Sequence, residues 1–330
     1  MAQGMAKSAV LLAETYHFVL TNPPYLGEKK QAEVLREYCK KNFSSGRPDL
    51  ATSFILRGEE FVENGVQCLV LPQNWLYQVS YQSLREELLE NKRINIIAQL
   101  GANAFDSKVG ADVVLIILKY SEALNGLDLT GITDINKKSA LLSKNNLQRY
   151  ETNKYLESSD KRIILSEFDT SSKTIGDYAT CCAGVLNGDT LRFVMFMHEI
   201  SSLPTNKKWN NFQRTVDRSI HFGGMANIIL WEQGCGQLRK LAIELKERLH
   251  DADRRGNQLW GKKGVAVSQM GTLPAAMYCG DLYDQSVAMI VPRDENIIPA
   301  LISFMQSEEF NNEVRKLDKN KKNNLDLMCK

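Results

Sequence analysis

The 330-residue chain has 43% hydrophobic and 24% charged residues, the composition of an ordinary globular protein long enough for two domains and a sizeable core. It has no run of 18 apolar residues, and its opening residues lack the apolar core of a signal peptide, so neither a membrane span nor secretion is expected. Net charge is only +2 but is unevenly spread: residues 201–330 hold 19 Lys and Arg against 15 Asp and Glu, which leaves −2 for the first 200. That asymmetry is compatible with a phosphate backbone as the partner of the second half, although a solvated surface gives the same count.

The seven cysteines are odd in number and form no Cys-x-x-Cys pair, and the four histidines show no metal-ligand spacing. A disulfide framework and a metal site are both disfavoured, and a reducing, cytoplasmic setting is expected.

Taken in order, residues 5–15 read as the end of a helix. Phe18-Val19-Leu20 is a short apolar run suited to a buried strand. Asn22-Pro23-Pro24-Tyr25 must end it, because two prolines cannot donate to a sheet ladder. The result is a rigid loop at the carboxyl end of a strand, where open α/β sheets place their ligands. The Asn22 amide oxygen and the Pro23 carbonyl can accept hydrogen bonds, and Tyr25 offers a face for stacking on a planar base.

A polar amphipathic stretch spans 31–43, and a helix begins at Asp49 as its cap and runs to about residue 63, with Leu50, Phe54, Leu56 and Phe61 as apolar positions. Cys68–Pro72 is a second strand, with Gln73-Asn74-Trp75 at its carboxyl end. A helix over 81–91 follows, then strands at 94–100 and 113–118, the last pair forming a hairpin. Residues 121–174 are polar and read as a connector.

The Asn-Pro-Pro-Tyr loop after an apolar strand resembles the catalytic motif of amino-methylating enzymes that use S-adenosylmethionine. The resemblance is closest to the DNA N6-adenine methyltransferases of BREX (PglX) and type IIG restriction–modification systems. It extends over residues 22–27, 49–54, 71–76 and 80–85, and over Leu100-Gly101 with Ala104-Phe105. It implies that Asn22, Pro23, Pro24 and Tyr25 form the catalytic loop: Asn22 and Pro23 accept from the amine of a flipped adenine, and Tyr25 stacks on its ring. Two such acceptors free the lone pair of a poorly nucleophilic nitrogen for in-line attack.

The implied fold class is α/β: the second half of a class I, Rossmann-like methyltransferase sheet over 1–120, then an α+β target-recognition domain over 175–318 and a polar tail over 319–330. Only 21 residues precede Asn22 and they contain no Gly-rich turn, so the family's cofactor loop is missing and strand 18–20 would become an exposed edge. The expectation is an incomplete chain, or one whose other half comes from a second polypeptide. A permuted order with its cofactor loop at Gly184–Asp189 is rejected, because no strong strand precedes that turn.

In the second half, Gly184–Phe193 resembles the opening of the family's recognition module. Lys208-Trp209, Phe222-Gly223-Gly224, Ile228–Glu232, Trp260, Gly264-Val265 and Met277–Gly280 follow in the expected order. Gly188, Asp189, Arg192, Lys208, Trp231, Lys262 and Lys263 are the candidate DNA contacts, among interleaved cations that include Lys207, Arg214, Arg218, Arg254 and Arg255. Each cation taken singly reads better as solvated surface than as a DNA contact. The apolar stripe Leu238, Leu241, Ala242, Leu245 and Leu249 marks a helix over 237–250 with a core or interface face, and a last helix spans 297–317. Gly256–Lys263 comes near a phosphate-binding loop but lacks its final Ser or Thr and a preceding strand.

The resemblance implies double-stranded DNA and other defence-system subunits as partners, and S-adenosylmethionine as cofactor. Two rivals stay open: a non-catalytic DNA-binding fragment or subunit, and a protein-glutamine or RNA N-methyltransferase.

Overall fold

The computed structural model describes residues 2–62, 64–101, 104–105, 112–144, 146–158, 161–165, 174–200, 208–245 and 251–317. Lys207, Leu249 and the tail over 319–330 lie outside them. The chain divides into two units, Met1–Ser171 and Ser172–Lys330.

The first unit is built on a six-stranded sheet: β1 (Phe18–Thr21), β2 (Val66–Pro72), β3 (Ile94–Gly101), β4 (Val113–Leu118), β5 (Leu124–Asp128) and β6 (Gln148–Tyr150), in the order β1-β2-β4-β3-β5-β6. β1 runs parallel to β2, with Thr21 opposite Leu69, so both strands deliver their following loops to the same end of the sheet. β4 inserts antiparallel between β2 and β3, so the expected β3–β4 pairing forms, and β4 also completes the ladder of β2.

β1 is the edge strand, and its alternate residues Phe18 and Leu20 are 58% and 69% exposed. They are not buried on both faces as the apolar run alone suggests. Helix α1 (Ala2–Ala13), just before it, leaves Met5, Val10, Leu11 and Leu12 exposed.

Three helices lie between strands: α2 (Glu33–Asn42), α3 (Leu50–Glu59) and α4 (Gln82–Glu90). The α3 cap forms as expected, with the Ala51 N–H donating to the Asp49 carboxylate at 2.9 Å. Its buried face, however, is Ala51, Thr52, Ser53, Ile55 and Gly58; Leu50, Phe54, Leu56 and Phe61 are only half-buried. Small residues let α3 sit close to the sheet: a Cβ on Gly58 would lie 1.7 Å from the Gln67 amide nitrogen.

The segment expected as a connector builds the first unit instead. β5 pairs parallel with β3, and β6 pairs antiparallel with β5. Helices α5 (Ile135–Ser143) and α6 (Thr152–Glu157) lie within it. Leu124, Tyr155, Ile163 and Leu165 join Ile55, Leu69, Leu71, Trp75, Leu84 and Ile97 in the main core. Each fully buried Leu or Ile contributes about 1.5–3 kcal/mol, so four widely spaced apolar residues suffice to recruit an otherwise polar segment.

The second unit holds two four-stranded sheets. One is β13 (Leu282–Tyr283), β9 (Trp209–Gln213), β10 (Asn227–Leu230) and β8 (Val194–Phe196). The other is β12 (Ala275–Tyr278), β11 (Gly264–Ser268), β14 (Val287–Pro292) and β7 (Ala179–Ala183). Four-residue helices α7 (Ile175–Tyr178) and α8 (Thr190–Phe193) precede β7 and β8. Helix α9 (Gln237–Glu244) packs Leu238 and Leu241 with Phe193, Phe212 and Ile229. The expected last helix is two, α10 (Ile298–Met305) and α11 (Glu308–Leu317). They break at Gln306-Ser307, where the Ser307 hydroxyl accepts from the Phe310 N–H at 3.2 Å. Leu301, Met305, Phe310 and Val314 cover one face of the second sheet.

Among the described residues, no helix is long and apolar enough to cross a membrane, and no cluster of His, Cys, Asp or Glu is suited to a metal ion. Cys39, Cys68, Cys182, Cys235 and Cys279 are free thiols.

Candidate functional site

β1 ends at Thr21 and the Asn22–Tyr25 loop leaves the sheet from its carboxyl end. Pro23 is buried, Asn22 and Pro24 are exposed, and Tyr25 is half-buried. Tyr25 packs against two buried apolar clusters, one containing Leu69 and Leu71 and the other Ala98, Leu100 and Val113. Its hydroxyl lies 3.1 Å from the Asn22 Oδ1 and 3.3 Å from the Val70 carbonyl, either of which can take its proton. Burial, and secondarily the Asp49 charge, push the Tyr25 phenol above its ordinary value, so it stays a neutral donor. No donor among the described residues reaches the Pro23 carbonyl. The loop thus presents two acceptors, one of them engaged by the tyrosine of the same loop.

The next loop, at the carboxyl end of β2, is held on two sides. The Gln73 N–H donates to the Asp112 carbonyl at 2.9 Å, and the Gln73 side-chain amide to the Asp112 carboxylate at 3.1 Å. Asn74 hydrogen-bonds the buried Tyr81, whose phenol is raised well above the ordinary value, by burial first and by Asp49 second. Arg85, on α4, is fully buried and donates to the carbonyls of Trp75 at 2.8 Å, Gln78 at 2.7 Å and Lys161 at 2.9 Å. At the end of β3, the Lys138 ammonium donates to the Leu100 carbonyl at 2.6 Å.

Of these, Asp49 is legible in the sequence as a helix cap and within a segment resembling the family, and Arg85 only within such a segment; nothing in the sequence singles out Asp112 or Lys138. The one available signal was Arg85 itself, a charge beside the Leu84–Leu88 apolar stripe of α4.

In the second unit, Gly188 adopts φ +70 in the turn before α8, and the Asp189 carboxylate caps α8 by accepting from the Arg192 N–H at 3.2 Å. The Arg192 guanidinium lies over the Phe193 ring and donates to the Gln237 side chain at 2.8 Å, which ties this turn to the start of α9. The Lys208 carbonyl accepts from the N–H groups of Trp231 and Glu232, both at 2.8 Å. Trp231 is half-buried and meets Trp260 edge-on at 5.2 Å. Trp260 leads into the turn that carries the exposed Lys262 and Lys263.

The seven DNA-contact candidates therefore fall into two local groups. Gly188, Asp189 and Arg192 meet at the α8 turn; Lys208 and Trp231 meet through the main chain, and the Trp231–Trp260 pair links them to the lysine turn.

Residues 5–105 match the family described as Eco57I restriction-modification methylase. An adenine-specific methyltransferase BrxX from Escherichia coli O9:H4 (strain HS) is 38% identical over 109 residues, 33% of this chain and 9% of that protein. An adenine-specific methyltransferase PglX from Lacticaseibacillus casei (strain Zhang) is 32% identical over 104 residues, 31% of this chain and 8% of that protein. The chain thus spans under a tenth of these relatives in the matched region.

Among solved structures, the type IIL restriction-modification enzyme MmeI in complex with DNA superposes with a TM-score of 0.52 at 15% identity, covering 91% of this chain and 43% of that one. A DrdV–DNA complex gives 0.55 at 10% identity, covering 88% and 37%. At such identities the likeness is one of fold. The α/β segment from α1 through the Asn-Pro-Pro-Tyr loop to β3 and the start of the turn after it is therefore identified, over residues 5–105, as matching the Eco57I restriction-modification methylase family.

Proposed function

We propose that this chain belongs to a site-specific DNA N6-adenine methyltransferase of a phage-defence or restriction–modification system. In this reading Asn22 and Pro23 hold the amine of an adenine flipped from duplex DNA, and the second unit holds the DNA. The observation that carries the reading is the Asn22–Tyr25 loop at the carboxyl end of a parallel strand, with Asn22 exposed and the Pro23 carbonyl free of donors among the described residues. The named relatives are adenine-specific methyltransferases, which supports the same substrate.

The loop's part in the reaction follows from its acceptors. An exocyclic amine has its lone pair delocalised into the ring; accepting both of its protons favours the pyramidal, nucleophilic form and fixes the direction of attack. Tyr25 would turn its hydroxyl away from Asn22 as the amine arrives, and its ring would stack on the base.

S-adenosylmethionine, when bound, supplies the methyl group. The described residues fit the amine that receives it but not the cofactor that gives it, because no glycine-rich turn among them leads out of a strand of the first sheet. We assign the cofactor's contacts to polypeptide that pairs with the free edge of β1, where Phe18 and Leu20 are exposed. The Gly188–Arg192 turn, Lys208, Trp231, Lys262 and Lys263 are assigned to the DNA, with the cations on phosphates.

The test is incubation of the chain with duplex DNA and S-adenosylmethionine, alone and with a candidate partner polypeptide, scoring N6-methyladenine by mass spectrometry and DNA retention by filter binding. Methylation abolished by Asn22→Ala, with DNA retention kept, supports the proposal. Salt-dependent DNA binding with no methylation in any combination would favour the non-catalytic DNA-binding reading, and methylation of a protein glutamine or RNA instead would refute the DNA assignment.

A further inference from the structure

We propose that the Asp49 carboxylate is a positioning residue for the Asn22–Tyr25 loop, through a grip on Leu26 that is separable from its capping of α3. The proposal rests on the reading of Asn22–Tyr25 as the base-holding loop.

β1 pairs on one side only, with β2, so the loop that leaves it inherits little stiffness from the sheet. Its order must come from elsewhere, and the chain supplies it at residues 26–28. A short antiparallel bridge joins Gly27 to Asp49. The Leu50 N–H donates to the Leu26 carbonyl at 3.0 Å, and the Glu28 N–H to the Pro48 carbonyl at 3.0 Å. A further donor, the Leu26 N–H, reaches the Asp49 Oδ1 at 3.2 Å. That same oxygen accepts from Ala51 at 2.9 Å, so one atom joins the loop to the first turn of α3.

Asp49 itself stands on a stiff base. Gly46 approaches Thr52 so closely that a Cβ there would lie 2.7 Å from the Thr52 carbonyl oxygen. The Thr52 hydroxyl lies 2.6 Å from the Gly46 carbonyl and 2.8 Å from the Asp49 carbonyl. A carboxylate mounted on such a turn transmits its position to whatever it holds. Its charge also reaches both loops at this end of the sheet, because it contributes to raising the phenols of Tyr25 and Tyr81.

Capping alone does not require this arrangement. Asp134 caps α5 by accepting from Lys137, and Asp189 caps α8 by accepting from Arg192, each within its own turn. Asp49 adds a bond to a residue earlier in the chain, on the segment that carries the loop.

Amide hydrogen exchange on the full chain separates the two roles in Asp49→Asn and Asp49→Ser. Asparagine keeps an oxygen at the same reach. Serine is a preferred cap but too short to bridge to Leu26. Expected: Leu26 and Ala51 stay protected in Asp49→Asn, whereas in Asp49→Ser Ala51 stays protected and Leu26 exchanges about tenfold faster, the loss of one hydrogen bond.

Wild-type protection of Leu26 in Asp49→Ser overturns the proposal, and so does loss of Leu26 protection in Asp49→Asn. Amides of β2 and β4 report whether each variant is folded; if Asp49→Ser is not, Asp49→Thr, also a short cap, repeats the test. Exchange is read without substrate, so its outcome is independent of whether the loop methylates DNA.

Discussion

Replacing Arg85 with methionine keeps most of the apolar stem and removes a guanidinium that is fully buried. Three main-chain carbonyls, those of Trp75, Gln78 and Lys161, then lose a donor at 2.7–2.9 Å. Hydrogen bonds to a charged group contribute about 1.5–3 kcal/mol each, which bounds the loss from above. Because the desolvation cost of the buried cation disappears with it, the net expectation is a loss of about 3–5 kcal/mol. At about 2–4 °C per kcal/mol for a domain of this size, the first unit should melt roughly 6–20 °C lower. Thermal and urea unfolding measure this, with amide resonances of β2 and β4 assigning the transition to the first unit. A midpoint shift equivalent to less than about 1 kcal/mol, the range of ordinary surface changes, would refute the view that Arg85 pins the loop between β2 and α4. Arg85→Lys should recover only part of the loss, because an ammonium cannot reproduce the planar fork.

Other outcomes follow from the same geometry. Tyr25→Phe removes the hydroxyl that occupies the Asn22 Oδ1; stability should change by less than about 1.5 kcal/mol, the net worth of one hydrogen bond, and on the proposed function methyl transfer to DNA should be kept or raised. Gly126→Ala places a Cβ 2.5 Å from a Leu165 methyl and 2.8 Å from the Tyr150 ring, so overpacking should cost about 1–3 kcal/mol in urea unfolding. Gly256→Ala meets the Tyr283 hydroxyl at 2.0 Å at a φ of +78, adding about 1–2 kcal/mol of left-handed strain to the clash, read as a lower midpoint of the second unit. Burial raises the Glu59 carboxyl above its ordinary value despite Arg93 at 3.1 Å. The folded state therefore holds the proton more tightly than the unfolded one, and this group's contribution to stability falls as pH rises from the ordinary carboxylate value through the raised one. Glu59→Gln should flatten the stability–pH curve in that window, and an unchanged slope would contradict the assignment.

Much of the first unit was legible because its strands are unbroken apolar runs ended by prolines. Leu69 and Leu71, Ile97, and Val114 with Ile116 could have no other place than a buried sheet, and Pro23 and Pro72 fixed where two strands stop. The helices were legible in position but less so in facing. On α3 the large side chains Leu50, Phe54 and Leu56 read as the inward stripe, yet the buried face is Ala51, Thr52, Ser53, Ile55 and Gly58, where Gly58 meets Gln67 of β2 and the Thr52 and Ser53 hydroxyls bond the Gly46 carbonyl. The segment 121–174 reads as a connector because its composition is polar; Leu124 on β5, Tyr155 on α6, and Ile163 and Leu165 in the irregular chain after α6 were enough to build it into the core. The last helix divided because Ser307 can cap a new one, a local signal that a continuous apolar period conceals.

The amino-acid sequence by itself determined where the Asn22–Tyr25 loop leaves the sheet. Two prolines after a strand leave the chain one course, and the identities of Asn22 and Tyr25 supply the acceptor and the ring on which the proposed base-holding role rests. What holds that loop was decided only in the folded chain, where one Asp49 oxygen joins Leu26 to Ala51, and where Arg85 gathers carbonyls from as far along the chain as Lys161. Such contacts carry no periodicity and no fixed spacing. They arise because buried main-chain donors and acceptors must be satisfied by whatever side chain the tertiary packing brings within reach.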